Sequence, residues 1–341
     1  MNKKEEYIQA LTLSLQEAGK GNAYIHICIN YADRLLDNHM PVIFDVTHLS
    51  LLLGVEKNYL TFMLFSLEHH YREHLIPKKS GGFRQLYMPS VTLKYIQRWI
   101  LDNILCHMHL SNYATGFRSK TSIVDNAKLH LNQDCIVNLD ISDFFPSIDF
   151  ETVFRIFNYY GYTKELSYVF AALCVYENML PQGSPASPYI SNVVSLRLDK
   201  RLNGLANSYE AVYSRYADDI TISGNSGVVK CVPIAKRIIE EEGFCVNEKK
   251  TRIAYSYQRQ EVTGLTINGG QVRVKKSYKR ALMQEIYYCQ RFGVDNHLRH
   301  IQSDKNFYKE HLYGKAYFLY MVEPDEGKKA IENLNIIKWD Y

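Results

Sequence analysis

The sequence predicts an α+β fold, and three observations carry that expectation. Strand-like and helix-like segments follow one another without a regular β-α-β order, which argues against a doubly wound parallel sheet. Turn signals, Gly81-Gly82 and the Asp pair of "RYADDITIS" (215–223), sit between strand-like runs. From about Ser277 onward the pattern is helical. The chain's 341 residues, 46% hydrophobic and 22% charged, suffice for two domains or one large domain with an appendage.

Taken in order, the first seventy residues read as short helices. "TLSLQEAGKGNAYIHICINYADRLLDN" keeps helical spacing broken at Gly19 and Gly21, and Thr47 is a candidate cap before the apolar run of "VTHLSLLLGVEKNYLTFMLF". In "LIPKKSGGFRQLYMPS" (75–90) two strand-like pieces flank the glycines that supply the positive φ of a tight hairpin. Lys78, Lys79 and Arg84 project from this ribbon. Ser90 then caps an amphipathic helix whose Leu93, Ile96, Ile100, Leu101, Ile104, Leu105 and Met108 recur near the 3.6-residue period. "DCIVNLDISDFFPSID" opens as a buried strand ending at Asp140, and "VFRIFNYYGY" and "ELSYVFAALCVYE" are helical. "MLPQGSPASPYISNVVSLRLDKRLNGLA" is a loop dense in Pro, Gly and Ser that feeds a helix. "AVYSRYADDITISG" is a hairpin, "GVVKCVPIAKRIIEEEGFCVN" a helix then a strand, and "EVTGLTINGGQVRVK" another hairpin.

Composition narrows the class of partner. No stretch approaches the roughly 18 apolar residues of a bilayer span. The first twenty residues are charged on both sides of a short apolar run and lack a small-residue cleavage site, so no signal peptide is read and a cytoplasmic protein without a membrane partner is expected. Seven cysteines, an odd number with no Cys-x-x-Cys pair, read as buried thiols in a reducing compartment rather than disulfides or zinc ligands. The net charge of +4 is small, yet Gln271–Lys315 holds ten Lys/Arg against four Asp/Glu, a surplus of six. That block suits a polyanionic partner, a solvated helix face being the plain alternative. Some of the 27 tyrosines could stack on bases, although most belong in core or strands.

Asp140 ends one strand, while Asp218 and Asp219 stand at a hairpin tip. The Asp pair alone reads most simply as an acidic turn. If the two strands are neighbours, however, three carboxylates converge and raise one another's pKa. Divalent cations resolve that conflict: Mg2+ prefers carboxylate oxygens together with substrate phosphates, and a metal pair supports in-line phosphoryl transfer.

"LDISDFF", "LPQGSPASP" and "RYADD", in that order and after a basic hairpin, resemble the fingers and palm of reverse transcriptases over roughly Ile76 to Ile267. The resemblance implies a right-hand polymerase fold with fingers, a palm of antiparallel sheet plus helices, and a helical thumb. Residues 1–74 would be an N-terminal helical region, and 75–139 fingers with part of the palm. Residues 140–270 would be palm, with a fingers insertion near 151–180, and 271–341 a basic helical thumb. Asp140, Asp218 and Asp219 would hold two Mg2+ ions, with the Ile141 carbonyl as a further ligand. Phe145 matches the aromatic under the sugar of the incoming dNTP, where its ring would exclude a ribose 2′-OH; a plain core phenylalanine is its other reading. Arg84, helped by Lys78 or Lys79, would grip the triphosphate, although charges guarding an exposed hairpin edge would look the same. Gln182 and Gly183 would line the nucleotide pocket. Lys250, or equally Lys249, matches the basic residue beside the carboxylates.

Asn126-Ala-Lys-Leu-His130 resembles the Asn-Ala-x-x-His element of retron reverse transcriptases, and Val262-Thr263-Gly264 their Val-Thr-Gly element. Taken singly, the first could be a helix end and the second a strand entering a turn. Together they identify a retron-type enzyme. Group II intron or diversity-generating enzymes are the near alternatives, and a non-catalytic nucleic-acid-binding scaffold that sequesters an effector the distant one. Membership implies an RNA-directed DNA polymerase that copies a cognate non-coding RNA (msr-msd) from an internal guanosine 2′-OH, giving branched msDNA. It also implies anti-phage defence with an effector or toxin protein as partner. Asn126, His130, Val262, Thr263 and Gly264 would then meet the RNA. In "SYKRALMQEIYYCQRFG", Ala281, Leu282, Ile286 and Cys289 would face the core. Lys276, Lys279, Arg280 and Arg291 would remain for phosphates, with Tyr287 or Tyr288 for stacking. The oligomeric state is not legible in the sequence.

Overall fold

A computed structural model describes residues 3–77, 81–302 and 306–339. The strands are β1 (Tyr71–Pro77), β2 (Phe83–Pro89), β3 (Cys135–Ser142), β4 (Val212–Tyr216), β5 (Asp219–Gly224), β6 (Cys245–Val246), β7 (Arg252–Tyr255), β8 (Glu261–Val262) and β9 (Leu265–Thr266). The chain divides into two units, each drawn from three stretches of sequence. One takes residues 1–117, 141–201 and 239–245, the other 118–140, 202–238 and 246–341.

In the first unit, helix Asn22–Asp37 buries Ile25, Cys28, Ala32 and Leu35 on one stripe. Helix Val46–Leu53 is capped by Asp45 and not, as expected, by Thr47: the Asp45 carboxylate accepts the His48 N–H at 2.8 Å. Asp45 is the last extended residue, which leaves Thr47 inside the first turn. Strands β1 and β2 form the expected antiparallel hairpin, with Ile76 opposite Arg84, but β1 begins at Tyr71. Ser90 caps helix Val91–Asn103 by accepting the Leu93 N–H. Leu93, Ile96 and Ile100 are buried along it, and a 3-10 turn after its end keeps Ile104, Leu105 and Met108 inside, while Leu101 is only half-buried. Helices Phe150–Tyr159, Lys164–Cys174 and Ser187–Val194 follow where helical pattern was read.

The second unit is built on a sheet in the order β4-β5-β3-β6, with β7 also pairing β3. Asp140 stands opposite Asp219 in the β3–β5 ladder, and Tyr216 opposite Asp219 in the β4–β5 ladder. The hairpin turn is therefore only Ala217-Asp218, with Ala217 at φ 58. One face buries Val137, Leu139, Ile220 and Ile222; the other carries Asn138, Asp140, Ser214, Thr221 and Ser223. Four helices end the chain: Lys276–Phe292, Val294–His300, Tyr308–Val322 and Pro324–Asn335. Their Leu282, Ile286, Cys289, Leu312, Leu319 and Leu334 share one core with Val262, Leu265 and Ile136 of β3. Ala281 is exposed instead, because the buried stripe runs through Leu282, Ile286 and Cys289. Gly327 lets the last two helices touch: a Cβ there would lie 2.1 Å from Tyr320 Cα.

All seven cysteines are free; five are buried, but Cys106 and Cys245 are exposed, against the expectation of buried thiols. Among the described residues no helix is long and apolar enough to cross a membrane.

Candidate active site

The β3–β5 register sets Asp140 and Asp219 side by side, and the two-residue turn adds Asp218. Asp140 is 5% exposed, whereas Asp219 opens to solvent. After β6, the Asn247 N–H donates to the Asp140 carbonyl at 2.8 Å and pins the start of the Glu248–Lys250 turn. That turn delivers Lys250, whose Nζ lies 2.8 Å from Asp140 Oδ2. Of the two lysines open at the outset, Lys250 is thus the one beside the carboxylates. Its pKa is raised by the hydrogen bond to Asp140 and further by the charges of Asp140, Asp218 and Asp219. The Asp219 carboxyl is pushed up to about 6, first by partial desolvation and then by Asp218 and Asp140, with Lys250 opposing. Electrostatically the three carboxylates and the lysine are one cluster.

Among the described residues no three acidic, His or Cys side chains already close around a single metal position. The donor chemistry nevertheless fits a hard cation. Three carboxylates face one ammonium, and the Asp219 pKa, raised first by desolvation and then by Asp218 and Asp140, reflects a site in which a cation such as Mg2+ would offset negative charge. Asp140, Asp218 and Asp219 would hold it. Ile141 follows Asp140 in β3 with its side chain buried.

Of the residues expected to bind the nucleotide, Lys250 belongs to the second unit, while Arg84, Phe145, Gln182 and Gly183 lie in the first. The Tyr87 N–H of β2 donates to the Gln182 carbonyl at 2.8 Å. Gly183 has φ +134, and a Cβ on it would stand 2.4 Å from the Tyr87 carbonyl oxygen. The loop is therefore clamped to β2, at a spacing only glycine allows. Phe145 is half-buried, its ring 6.0 Å from Phe117 and 5.5 Å from Phe144. Arg84 is exposed on β2. Lys78 and Lys79 lie outside the described residues.

The residues expected to meet RNA divide. Asn126 is 1% exposed, and His130 and Val262 are fully buried, so their side chains do not form an RNA surface. Thr263, at φ 47 in the turn between β8 and β9, donates from Oγ1 to the Ile123 carbonyl at 3.2 Å, and Gly264 at φ 80 completes that turn. The Val-Thr-Gly segment is therefore a clasp on the helix bearing Asn126. Lys279 is not free for phosphate either: its Nζ lies 2.6 Å from Glu323 and 3.5 Å from Glu326. Lys276, Arg280 and Arg291 are exposed, as is Tyr287; Tyr288 packs its ring 5.6 Å from His297. Reading the sequence missed Ser214, Ser223 and Asn138 behind the carboxylates. Polar residues at two-residue spacing in strands that otherwise read as apolar were the available signal.

The reverse transcriptase (RNA-dependent DNA polymerase) family matches residues 76–269. Retron Ec86 reverse transcriptase of Escherichia coli is 32% identical over 312 residues, covering 90% of this chain and 94% of that enzyme. Retron Mx65 reverse transcriptase of Myxococcus xanthus is 31% identical, over 81% of this chain and 67% of that enzyme. Among solved structures, telomerase from Candida albicans in complex with a fragment of telomeric RNA aligns with 76% of this chain and 54% of its own, at 12% identity and a TM-score of 0.47.

Proposed function

Since the chain belongs to the reverse transcriptase family and to its retron type, and is an RNA-directed DNA polymerase of right-hand fold, we propose that it makes branched msDNA. It copies a cognate non-coding RNA (msr-msd), starting from the 2′-OH of an internal guanosine. The observation that carries this reading is the register of Asp140 against Asp219, with Asp218 in the turn between β4 and β5.

The chemistry supplied by two bound Mg2+ ions is a lowered pKa for the attacking hydroxyl and neutralised charge on the leaving oxygen. The protein's own groups do the rest. Lys250 holds the Asp140 carboxylate in place through its hydrogen bond. Arg84 takes phosphate oxygens of the dNTP with its planar guanidinium. Phe145 meets the sugar and excludes a ribose, while Gln182 and Gly183 shape the pocket floor against β2. A 2′-OH needs no new catalytic group relative to a 3′-OH, only placement, because in-line attack tolerates little displacement. Placement falls to the RNA-holding surface, Lys276, Arg280, Arg291 and Tyr287, through backbone and shape contacts.

In this reading residues 75–139 are fingers, 140–270 palm and 271–341 thumb. The enzyme works in the cytoplasm with its RNA and msDNA, and holds an effector protein in check in anti-phage defence. The test is to extract nucleic acid from expressing cells and treat it with RNase and then debranching enzyme. A short single-stranded DNA whose mobility shifts only after debranching is expected. DNA insensitive to debranching, or none, would overturn the branched-product reading.

A further inference from the structure

His130 has no exposed surface, yet both of its ring nitrogens are occupied. Nδ1 lies 2.6 Å from Ser223 Oγ and Nε2 2.7 Å from Ser214 Oγ. The two serines stand on β5 and β4, the two arms of the hairpin that carries Asp218 and Asp219. In register, Val212 faces Ser223, Ser214 faces Thr221 and Tyr216 faces Asp219. By two-residue alternation Ser214, Thr221, Ser223 and Asp219 share one face. Asp140 and Asn138 of β3 lie on that face too, with Asn138 Nδ2 3.5 Å from Thr221 Oγ1. A polar stripe therefore runs from the carboxylates back along the sheet and ends on His130.

We propose that His130 is a positioning residue for DNA synthesis, bracing the two arms of the carboxylate hairpin from behind rather than touching RNA. Neutral imidazole suits this role: one nitrogen donates, the other accepts, and each serine hydroxyl rotates to match. Burial keeps the ring neutral by pushing its pKa down to about 4. The brace is itself anchored. Helix Ile123–Lys128 starts with a capping box in which Ser122 and Asp125 bond each other's backbone N–H. Its first carbonyl, Ile123, accepts from Thr263 Oγ1, which helps hold a β-branched residue at an uncommon positive φ. Asn138 also donates to the Glu261 carbonyl at 3.3 Å. The Asn126–His130 and Val262–Gly264 segments are thus two jaws of one clasp over the polar face of the sheet. An apolar residue at 130 could fill space, but only a side chain with two polar ends fixes both arms at once.

The inference rests on the polymerase reading, and the test separates the two. Ser214→Ala/Ser223→Ala removes two hydroxyls and leaves the fold's volume almost unchanged. On a primed RNA template, its kcat for single-nucleotide incorporation is expected to fall about tenfold or more, as small displacements of reacting groups do. The KM for dNTP and the RNA affinity stay within about twofold of wild type. In His130→Ala, added imidazole restores part of the lost kcat. Weakened RNA binding at unchanged kcat, or a lower melting temperature with kcat intact, overturns the brace; should His130→Ala not fold, the serine pair decides. A wild-type protein that fails to extend the primer overturns the polymerase reading instead.

Discussion

Asp219 stands on β5 and His130 packs against that sheet through Ser223 and Ser214; their perturbations are opposite, and each makes a measurable claim about pH. Asp219 titrates near 6 in the fold against an ordinary value of 3.8, so the native state binds more protons than the unfolded chain between them. Its contribution to stability therefore declines as pH rises through that window. Asp219→Asn is expected to raise the urea midpoint at pH 7 in metal-free buffer, a stabilisation of less than about 1 kcal/mol given solvent screening. Added Mg2+ should close the gap while the variant stays inactive; a variant less stable than wild type in chelator would contradict the electrostatic account. His130 runs the other way. Its folded pKa of about 4 lies below the ordinary 6.5, so stability is full above about 6.5 and is lost as pH falls toward 4. That loss amounts to roughly 3 kcal/mol at most. His130→Gln should flatten this acid-side loss, and an unchanged slope would mean that the folded ring does not titrate below its ordinary value.

At the scale of elements, the Gly183 loop and the turns show what sequence can and cannot carry. Gly183→Ala would drive a Cβ to 2.4 Å from the Tyr87 carbonyl oxygen at a φ that side chains resist. The loop must then leave β2. The variant should lose about 2 kcal/mol or more of stability and show a raised KM for dNTP; wild-type values of both would mean that the clamp is not needed. Hairpins were legible because Gly81-Gly82, Asp218 and Thr263-Gly264 are turn chemistry between apolar runs, and Ser90 because a cap needs only its own local geometry. Strand β7 was not legible. "RIAY" is four residues long and becomes a strand only because β3 offers it an edge. The Asp45 cap escaped for a related reason: Thr47 and Asp45 are both capping types, and only the backbone decides which stays extended. Asn126, His130 and Val262 were recognised as a pattern but misassigned to a surface, because a motif carries no burial.

Over the whole molecule, the three carboxylates were readable as a set although some eighty residues separate Asp140 from Asp218 and Asp219. Composition flagged the basic segment from Gln271 to Lys315, but not which charges are already spent. Lys279 is held by Glu323 and Glu326 across the last helices, so Lys279→Glu should act on stability by setting three carboxylates together. Lys276→Glu with Arg280→Glu should instead weaken RNA binding and make its salt dependence shallower by about 1.5 in log–log slope, as expected for two lost phosphate contacts. Filter-binding across a salt series checks this, and an unchanged slope would remove the RNA surface from this face.

The most direct test concerns the acidic hairpin itself. Extension of a DNA-primed RNA template should be measured for wild type and for Asp218→Asn/Asp219→Asn, with RNA affinity and melting temperature recorded alongside. Complete loss of extension in a folded, RNA-binding double variant is the predicted result. Extension at the wild-type rate would contradict the assignment of these carboxylates as the catalytic centre.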